Sequence, residues 1–453
     1  MLEMWQRILL VILCVLVAVV VVRTWILEGL VIPVRIVGPS MAETFYGPHI
    51  ELTCVDCGFP FAFDATTAPL PQTAICPNCG YRENETKAEP LCGGDRLLID
   101  KMTYQFRRPN RWEAILFRGS ALQPGVCMKR VVGFPGETVE IHGGDVFVNR
   151  IRAKKTWNDL RQMALVIHDA RHRSYDVALP HRWRAATPTN GWQSKGKGFA
   201  YSPDQRLSHE VAGLSGEKSC ATLDWLRYHH CRLRVGSRTK EGALSDNYGY
   251  NQTLSRQLNN IEDIYLTATV EARGDGVLAV QVPADGKTFL LRMETTSRRG
   301  TLLHDNESVG EFVWQAGQLK SPTTLEVATL DKQFLVAMDG VSCLSFDYDQ
   351  SQWRADEGRT KDAGSLQRAD HNRLAIGACG LEVELKDLRL LRDVYYTQGP
   401  PVAAGKDMKM HQLGADEFFV LGDNSPVSLD SRQGWPDGVV KAADLLGKPW
   451  RWR

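Results

Sequence analysis

The hydrophobic residues of this chain follow three patterns in succession. The first is an unbroken apolar run of 15 residues from Ile8 to Val22, which spans only ~22 Å as a helix, less than the ~30 Å hydrocarbon core of a bilayer. Trp5 and Trp25 flank the run 20 residues apart, or ~30 Å on one helix, and tryptophan concentrates at the two membrane interfaces. This pattern predicts an N-terminal transmembrane helix.

The main alternative for this run is a cleavable signal peptide. Cleavage requires a small-x-small motif after the apolar stretch, and Val20, Val22 and Arg23 do not provide one. We therefore predict an uncleaved anchor over residues 1–32, ended by Pro33, because a proline ring is incompatible with a helix interior.

The second pattern consists of short apolar or alternating segments separated by glycine and proline, as in an all-β domain. A strand near the C-terminus belongs to the same domain, so we assign residues 33–53, 93–153 and 398–453 to one β core that two insertions interrupt. The predicted strands are 114–117, 129–132, 138–142, 146–148 and 418–421.

The third pattern is a longer series of alternating strands within residues 154–397, which predicts an inserted β-sandwich. Asp-Gly pairs such as Asp285-Gly286 and Asp339-Gly340 supply turns between them. The predicted strands include 266–272, 277–282, 289–294, 333–338 and 383–391.

Two pairs of cysteines mark the other insertion, residues 54–92. Cys54 and Cys57 form one Cys-x-x-Cys pair, and Cys76 and Cys79 form a second, each followed by glycine. Four thiolates in this spacing predict a structural zinc ribbon, in which no coordination position is left open for catalysis. Two disulfides in an oxidising compartment are the alternative.

Charge excludes one class of partner. The 453-residue chain has a formal net charge of +1, which argues against nucleic-acid binding, because that function needs a basic surface.

Three short motifs carry candidate chemistry. A serine hydroxyl attacks a peptide bond only when a base takes its proton, and a lysine can be that base only when it is neutral. Burial among apolar groups can lower a lysine pKa from ~10.4 by the ~2.5 units required, and Arg130 is expected to point away from Lys129 on an alternating strand. The motifs are Gly38-Pro39-Ser40-Met41, Lys129-Arg130-Val131-Val132-Gly133-Phe134-Pro135-Gly136, and Gly422-Asp423-Asn424 with Ser428-Leu429-Asp430-Ser431-Arg432.

These motifs, in this order, resemble those of the type I signal peptidases, membrane-anchored serine/lysine endopeptidases. The resemblance covers residues 1 to about 50, 93–152 and 398–453. It implies that Ser40 is the nucleophile, Lys129 the general base and Ser428 the hydroxyl that orients the lysine. Asp430 and Arg432 are then a structural ion pair.

The resemblance also implies a substrate and a location. Signal peptides of exported preproteins would be cut after small-x-small motifs, with Ile36 and Met128 lining the shallow pocket. No cofactor is expected in catalysis. The expected location is the inner (cytoplasmic) membrane, single-pass, with the catalytic domain on the extracytoplasmic side, in contact with the lipid bilayer and the protein-export machinery.

Two features depart from the simplest members of that family. Gly38 stands where some members carry a hydroxyl that helps to bind the oxyanion, so the backbone N–H of Ser40 is the one donor assigned. The sandwich insertion resembles laminin-G or concanavalin-like modules, which leaves an alternative function: a catalytically silent, membrane-anchored binding protein that acts through this domain.

Overall fold

A computed structural model describes the chain apart from residues 1, 67–69, 88, 120–124, 188–189, 205–221, 233–239, 350–372, 398–409, 434–437 and 451–453. The fold is mainly β, with an apolar helix at the N-terminus. The chain divides into two compact units. Unit 1 comprises Met1–His49, Leu91–Arg152 and Tyr396–Arg453, and unit 2 comprises Ile50–Pro90 and Ala153–Tyr395.

Unit 1 begins with the α-helix Leu2–Val21, which continues as a π-helical segment, Val22–Leu27, and a short turn, Glu28–Leu30. The stretch Met4–Thr24 has a mean hydropathy of 2.7 and none of its most apolar window is buried, so it is long and apolar enough to cross a membrane. The prediction that Pro33 ends this helix is wrong, because the strand Val31–Arg35 has already begun. This strand lies at the sheet edge, where a missing N–H is tolerated.

The core of unit 1 is a seven-stranded antiparallel sheet accompanied by a smaller four-stranded sheet. A short helix, Thr103–Phe106, and two 3₁₀ turns, Ser431–Gln433 and Ala442–Asp444, connect its strands. In spatial order the larger sheet is Val31–Arg35, Arg96–Asp100, Leu445–Trp450, Ala114–Arg118, Val126–Gly133, Glu417–Leu421 and Val440–Lys441; the smaller is Ile151–Arg152, Asp145–Val148, Thr138–His142 and His411–Gln412.

Unit 2 contains a β-sandwich of two sheets around one apolar core. The helix Trp157–Met163 precedes it, with Thr156 and Asp159 forming a capping box. One sheet is ordered Trp192–Lys195, Gly198–Tyr201, Glu382–Arg392, Ile264–Arg273, Thr323–Leu330, Gln333–Met338 and Val341–Asp347, with Leu165–Asp169 also pairing with Glu382–Arg392; the other is Trp183–Ala185, Asp224–Tyr228, Ala375–Cys379, Val277–Ala284, Lys287–Glu294, Arg299–His304 and Glu307–Val313.

The cysteine-bearing segment belongs to the same compact unit as the sandwich. Its two knuckles are built alike: the N–H of Gly58 donates to the Cys54 carbonyl at 2.9 Å, and that of Gly80 to the Cys76 carbonyl at 3.0 Å. Both glycines have positive φ, 70° and 92°, which favours glycine at these turns. The short strands of this region are His49–Thr53, Pro60–Asp64, Thr73–Ala74, Asn84–Glu85 and Leu91–Cys92, and a further hairpin in unit 2 is Cys231–Arg232 with Lys240–Glu241.

Candidate active site

Lys129 lies on the strand Val126–Gly133, between Ala114–Arg118 and Glu417–Leu421. From Met128 onward every residue of this strand is buried, because both faces of the sheet are covered here. The Lys129 side chain is accordingly enclosed, with 4% relative exposure. An ammonium group at such a position loses most of its hydration.

The Lys129 Nζ donates a hydrogen bond of 2.9 Å to the Ser428 Oγ. Burial lowers the pKa of Lys129 to about 8, while the negative charge of Asp430 opposes this decrease. A substantial fraction of the amine is therefore neutral near physiological pH, and the Ser428 hydroxyl fixes its direction.

Ser40 lies in a turn that follows the edge strand Val31–Arg35, and its side chain is only partly buried. The backbone of this turn is anchored by Asn424: its N–H donates to the Ser40 carbonyl at 3.0 Å, and its side-chain amide donates to the Pro39 carbonyl at 2.9 Å. Met41, buried at 1% exposure, holds the other side of the turn. The first and third sequence motifs thus form one local structure.

The absence of a side chain at Gly422 allows the Ser40 turn and the Ser428 hydroxyl to lie close together. A Cβ at this position would lie 2.5 Å from the Ser40 carbonyl oxygen and closer still to the Ser428 Oγ. Any larger residue would therefore push the turn of Ser40 away from the hydroxyl that contacts Lys129. Ser428 is the common neighbour of the serine turn and the lysine.

Asp430 and Arg432 form a buried ion pair of 2.8 Å. Asp430 also accepts a 3.0 Å hydrogen bond from the Gly422 N–H, and Arg432 donates to the Thr397 carbonyl at 2.6 Å. Burial is the largest single influence and would raise the pKa of Asp430, but the charge and hydrogen bonds of Arg432, with smaller contributions from Lys129 and the Gly422 N–H, together hold the pKa below its usual value. This pair thus ties the backbone at Gly422 and at Thr397 to the segment that carries Ser428.

A second buried ion pair was not assigned from the sequence. Arg130, 2% exposed, donates through Nε to Asp423 at 2.8 Å and through Nη2 at 2.5 Å, and its Nη1 donates to the Trp112 carbonyl. It does point away from Lys129, but into protein rather than solvent. The available signal was an arginine inside an apolar strand and an aspartate in the third motif, which together suggest a pair.

The two residues predicted to line the substrate pocket lie in one apolar cluster. Met128 is buried and Ile36 is partly buried, and both belong to a group that includes Met41, Leu97 and Leu116. This cluster lies on the strand that carries Lys129 and on the segment that leads to Ser40. Their role in substrate binding remains a prediction.

The four cysteines predicted to bind metal converge in unit 2, and all are buried and free of disulfides. Their sulfur atoms lie within 4.8 Å of one another, with Sγ–Sγ distances of 3.6 Å for Cys54–Cys79 and 3.7 Å for Cys57–Cys76. A tetrahedron with Zn–S bonds of ~2.3 Å has edges of ~3.8 Å, whereas a disulfide needs ~2.05 Å. The cluster therefore fits a tetrahedral metal ion.

A family model described as signal peptidase, peptidase S26, matches residues 81–185 and 382–451. Signal peptidase I of Leptolyngbya laminosa is 33% identical over 122 residues, which are 23% of this chain and 59% of that relative. Signal peptidase I V of Bacillus subtilis is 36% identical over 56 residues, 12% of this chain and 32% of that relative. The chain thus spans little more than half of the first relative and about a third of the second.

Among solved structures, the carbohydrate binding module CBM66 from Bacillus subtilis aligns with a TM-score of 0.26 and 6% identity, covering 46% of this chain and 94% of that one. The endo-β-1,3(4)-glucanase SCLam, from family GH16, gives a TM-score of 0.26 and 11% identity, covering 48% of this chain and 86% of the glucanase. These likenesses are too weak to support any statement about ligands.

Proposed function

We propose that this chain, in which residues 81–185 and 382–451 match the family model described as signal peptidase, peptidase S26, is a serine endopeptidase that removes signal peptides from exported preproteins. Ser40 is the nucleophile, Lys129 the general base and Ser428 the group that orients the lysine. The observation that carries this proposal is the 2.9 Å hydrogen bond from the enclosed Lys129 amine to Ser428, whose Oγ neighbours the Ser40 turn across Gly422.

The proposed reaction follows from these positions. Neutral Lys129 accepts the Ser40 hydroxyl proton as the Oγ–carbonyl bond forms, and the Ser40 N–H stabilises the oxyanion. The scissile C–N bond then breaks as protonated Lys129 returns the proton to the leaving amine, which leaves an acyl-enzyme. Water hydrolyses this ester in the second half, with the same amine accepting the water proton and returning it to Ser40.

The substrate proposal is tested by cleavage specificity. The substrate pocket proposed at Ile36 and Met128 would admit only small side chains. A preprotein with an Ala-x-Ala site should therefore be cut, whereas the same preprotein with phenylalanine before the scissile bond should not. The difference in kcat/KM should exceed about a hundredfold. Equal cleavage of the two preproteins would contradict the pocket assignment, and cleavage of neither would favour the alternative of a membrane-anchored binding protein.

The pH dependence tests the base. With a Lys129 pKa of about 8, the neutral fraction rises about tenfold between pH 7 and pH 9, since deprotonation is required for proton acceptance. We expect kcat/KM on a substrate without groups that titrate in this interval to rise by the same factor and then level off. A rate that is flat or falls over this interval would contradict a lysine base.

We also propose that the four cysteines hold a structural zinc ion. The purified protein should contain about one zinc per chain by elemental analysis, and Cys57→Ser or Cys76→Ser should remove it and lower the melting temperature. Cys343→Ser, which changes a free cysteine outside the cluster, is the control and should retain the metal. Zinc content well below one per chain, or unchanged in Cys57→Ser, would contradict the site.

The location proposed is the inner membrane, with a single span and the catalytic domain on the extracytoplasmic side, where signal peptides and the export machinery would meet it. Two observations support it. The stretch Met4–Thr24 is long and apolar enough to span a bilayer, and Cys379 is disulfide-bonded, a state that persists mainly in oxidising compartments.

A further inference from the structure

Unit 2 contains a cavity that the peptidase chemistry does not use. It is lined by residues of the cysteine-bearing segment and of the sandwich, within the one compact unit. Its described lining includes two arginines and three histidines but no aspartate or glutamate.

The two lining arginines differ from many other arginines in the described part of the chain. Arg130, Arg161, Arg171 and Arg432 each contact a carboxylate. Arg182 is only 6% exposed, yet its described hydrogen bond goes to the main-chain carbonyl of Cys231.

Arg173 likewise has no carboxylate partner among the described residues. It donates to the Gly198 carbonyl and lies over the Phe199 ring, with its guanidinium carbon 4.4 Å from the ring centroid. Burial, with no compensating negative charge, lowers the Arg173 pKa. Enclosing two such cations costs free energy unless an anion accompanies them.

A buried guanidinium group can be stabilised without an anion when main-chain carbonyls accept the hydrogen bonds of its N–H groups. Arg392 is an example of this arrangement. Arg392 is 2% exposed, but three carbonyl oxygens, those of Asp246, Asn247 and Asp393, accept its hydrogen bonds, and Tyr248 stacks on it. Among the described contacts, Arg182 and Arg173 have no comparable set of carbonyl acceptors. Saturation by carbonyls therefore does not account for these two cations.

Three further donors at the cavity are buried without a partner: His168 Nδ1, Arg173 Nε and Trp183 Nε1. Burial, together with the Arg182 charge, lowers the pKa of His168 to about 3, so its imidazole is neutral and can donate from Nδ1. Buried donors normally have a hydrogen-bond partner, and each donor left without one costs free energy of folding. Their convergence on one cavity points to an acceptor-rich ligand.

The segment that carries Arg173 is held on both sides by the cysteine-bearing segment. The Asn78 side chain donates to the His172 carbonyl at 2.7 Å, and the Asp56 carboxylate accepts from the Tyr175 N–H at 2.9 Å and the Asp176 N–H at 3.0 Å. Such anchoring fixes the guanidinium before a ligand arrives, which reduces the entropy cost of binding.

We propose that this cavity binds a small oxyanion, either a free anion or the carboxylate or phosphate group of a small molecule, held by Arg173 and Arg182. The donors of His168 and Trp183 supply hydrogen bonds to the same group or to neighbouring hydroxyls. Bidentate arginine contacts suit both kinds of oxyanion. The site is separate from the peptidase chemistry and gives unit 2 a binding function of its own.

The test is calorimetric titration of the full chain in detergent micelles with glucuronate, glucose 6-phosphate, inorganic phosphate and, as a neutral control, glucose. At least one anion should bind with one site per chain at 0.15 M salt, and glucose should not. The anion that binds identifies the source: glucuronate a carboxylate sugar, glucose 6-phosphate a phosphosugar, and phosphate alone the free ion.

Arg173→Gln should weaken this binding at least about tenfold, since a charge-assisted contact is lost. Arg292→Gln removes an arginine that is paired with Glu294 on a strand outside the cavity and should leave the affinity unchanged. Arg173 is only partly buried, so its replacement is less disruptive than that of Arg182; a circular dichroism spectrum and melting temperature confirm that each variant is folded. Failure of all three anions to bind at millimolar concentration, or equal affinity in Arg173→Gln and the native chain, would overturn the proposal.

Discussion

We expect Lys129→Met to lower the kcat of the proposed peptidase reaction at least about a thousandfold without unfolding the protein. General bases typically contribute ~10²–10⁴-fold, and loss of one member of a cooperating serine–base unit costs about as much as loss of the whole unit. Methionine matches the length of the lysine side chain and is compatible with the apolar surroundings of this strand. The measurement is cleavage of an Ala-x-Ala preprotein by purified variants.

The same substitution, although it removes activity, should not lower the stability of the fold at pH 7. Because burial lowers the Lys129 pKa to about 8 from ~10.4 in an unfolded chain, the folded protein binds fewer protons than the unfolded one between these values. The native lysine therefore destabilises the fold at pH 7, and this cost decreases as the pH rises through 8. At pH 7 the variant should be at least as stable as the native protein.

Chemical denaturation at two pH values measures this effect. The free energy of unfolding of the native protein, minus that of Lys129→Met, should increase by about 1 kcal/mol between pH 7 and pH 9. Lys386→Met, at an exposed position on the sandwich, is the control. It should leave the activity unchanged, and its free energy of unfolding should differ from that of the native protein by the same amount at pH 7 and pH 9. A destabilised, partly active Lys129→Met protein would assign the lysine a structural role.

Arg130→Met should be the most destabilising single substitution in the β core, with a loss of about 3–5 kcal/mol in the free energy of unfolding. Removing the arginine leaves Asp423 buried at 0% exposure without its cation, and an uncompensated buried charge costs this much. Asp423 is also followed directly by Asn424, which anchors the Ser40 turn. We therefore expect reduced activity as well.

The double variant Arg130→Met/Asp423→Leu separates charge from packing. Since it removes both members of the pair, it should recover most of the lost stability. Arg292→Met breaks an exposed pair with Glu294 and should cost below about 1 kcal/mol. A loss below 1 kcal/mol for Arg130→Met, measured by denaturant unfolding, would contradict a structural role for this pair.

Local pattern was sufficient for much of the fold. The strand predicted at 333–338 is observed as Gln333–Met338, and those at 289–294 and 418–421 differ by only a few residues from Lys287–Glu294 and Glu417–Leu421. Alternation and Asp-Gly turns determine such hairpins locally; Asp285 and Asp339 adopt the positive φ that tight turns need. The helix end near Pro33 was misplaced, because an edge strand tolerates proline as well as a helix terminus does.

The site could be predicted only in part. Ser40, Lys129 and Ser428 stand out because their motifs are short and ordered, and their positions bring Ser428 to the lysine. The partnership of Arg130 with Asp423 depends on residues 293 positions apart, and no local pattern encodes it. The cavity arginines are even less visible, since Arg173 and Arg182 lie in a polar stretch without periodicity and gain meaning only from the absence of a carboxylate beside them.

The central claim is that Lys129 activates Ser40, and covalent labelling tests it most directly. The full chain is treated with a serine-reactive acyl probe that mimics a signal peptide, and peptides are analysed by mass spectrometry. We expect one acyl group on Ser40 in the native protein, and none above background in Lys129→Met at the same pH, although that variant remains folded. Labelling at another residue, or equal labelling of Ser40 without Lys129, would contradict the account.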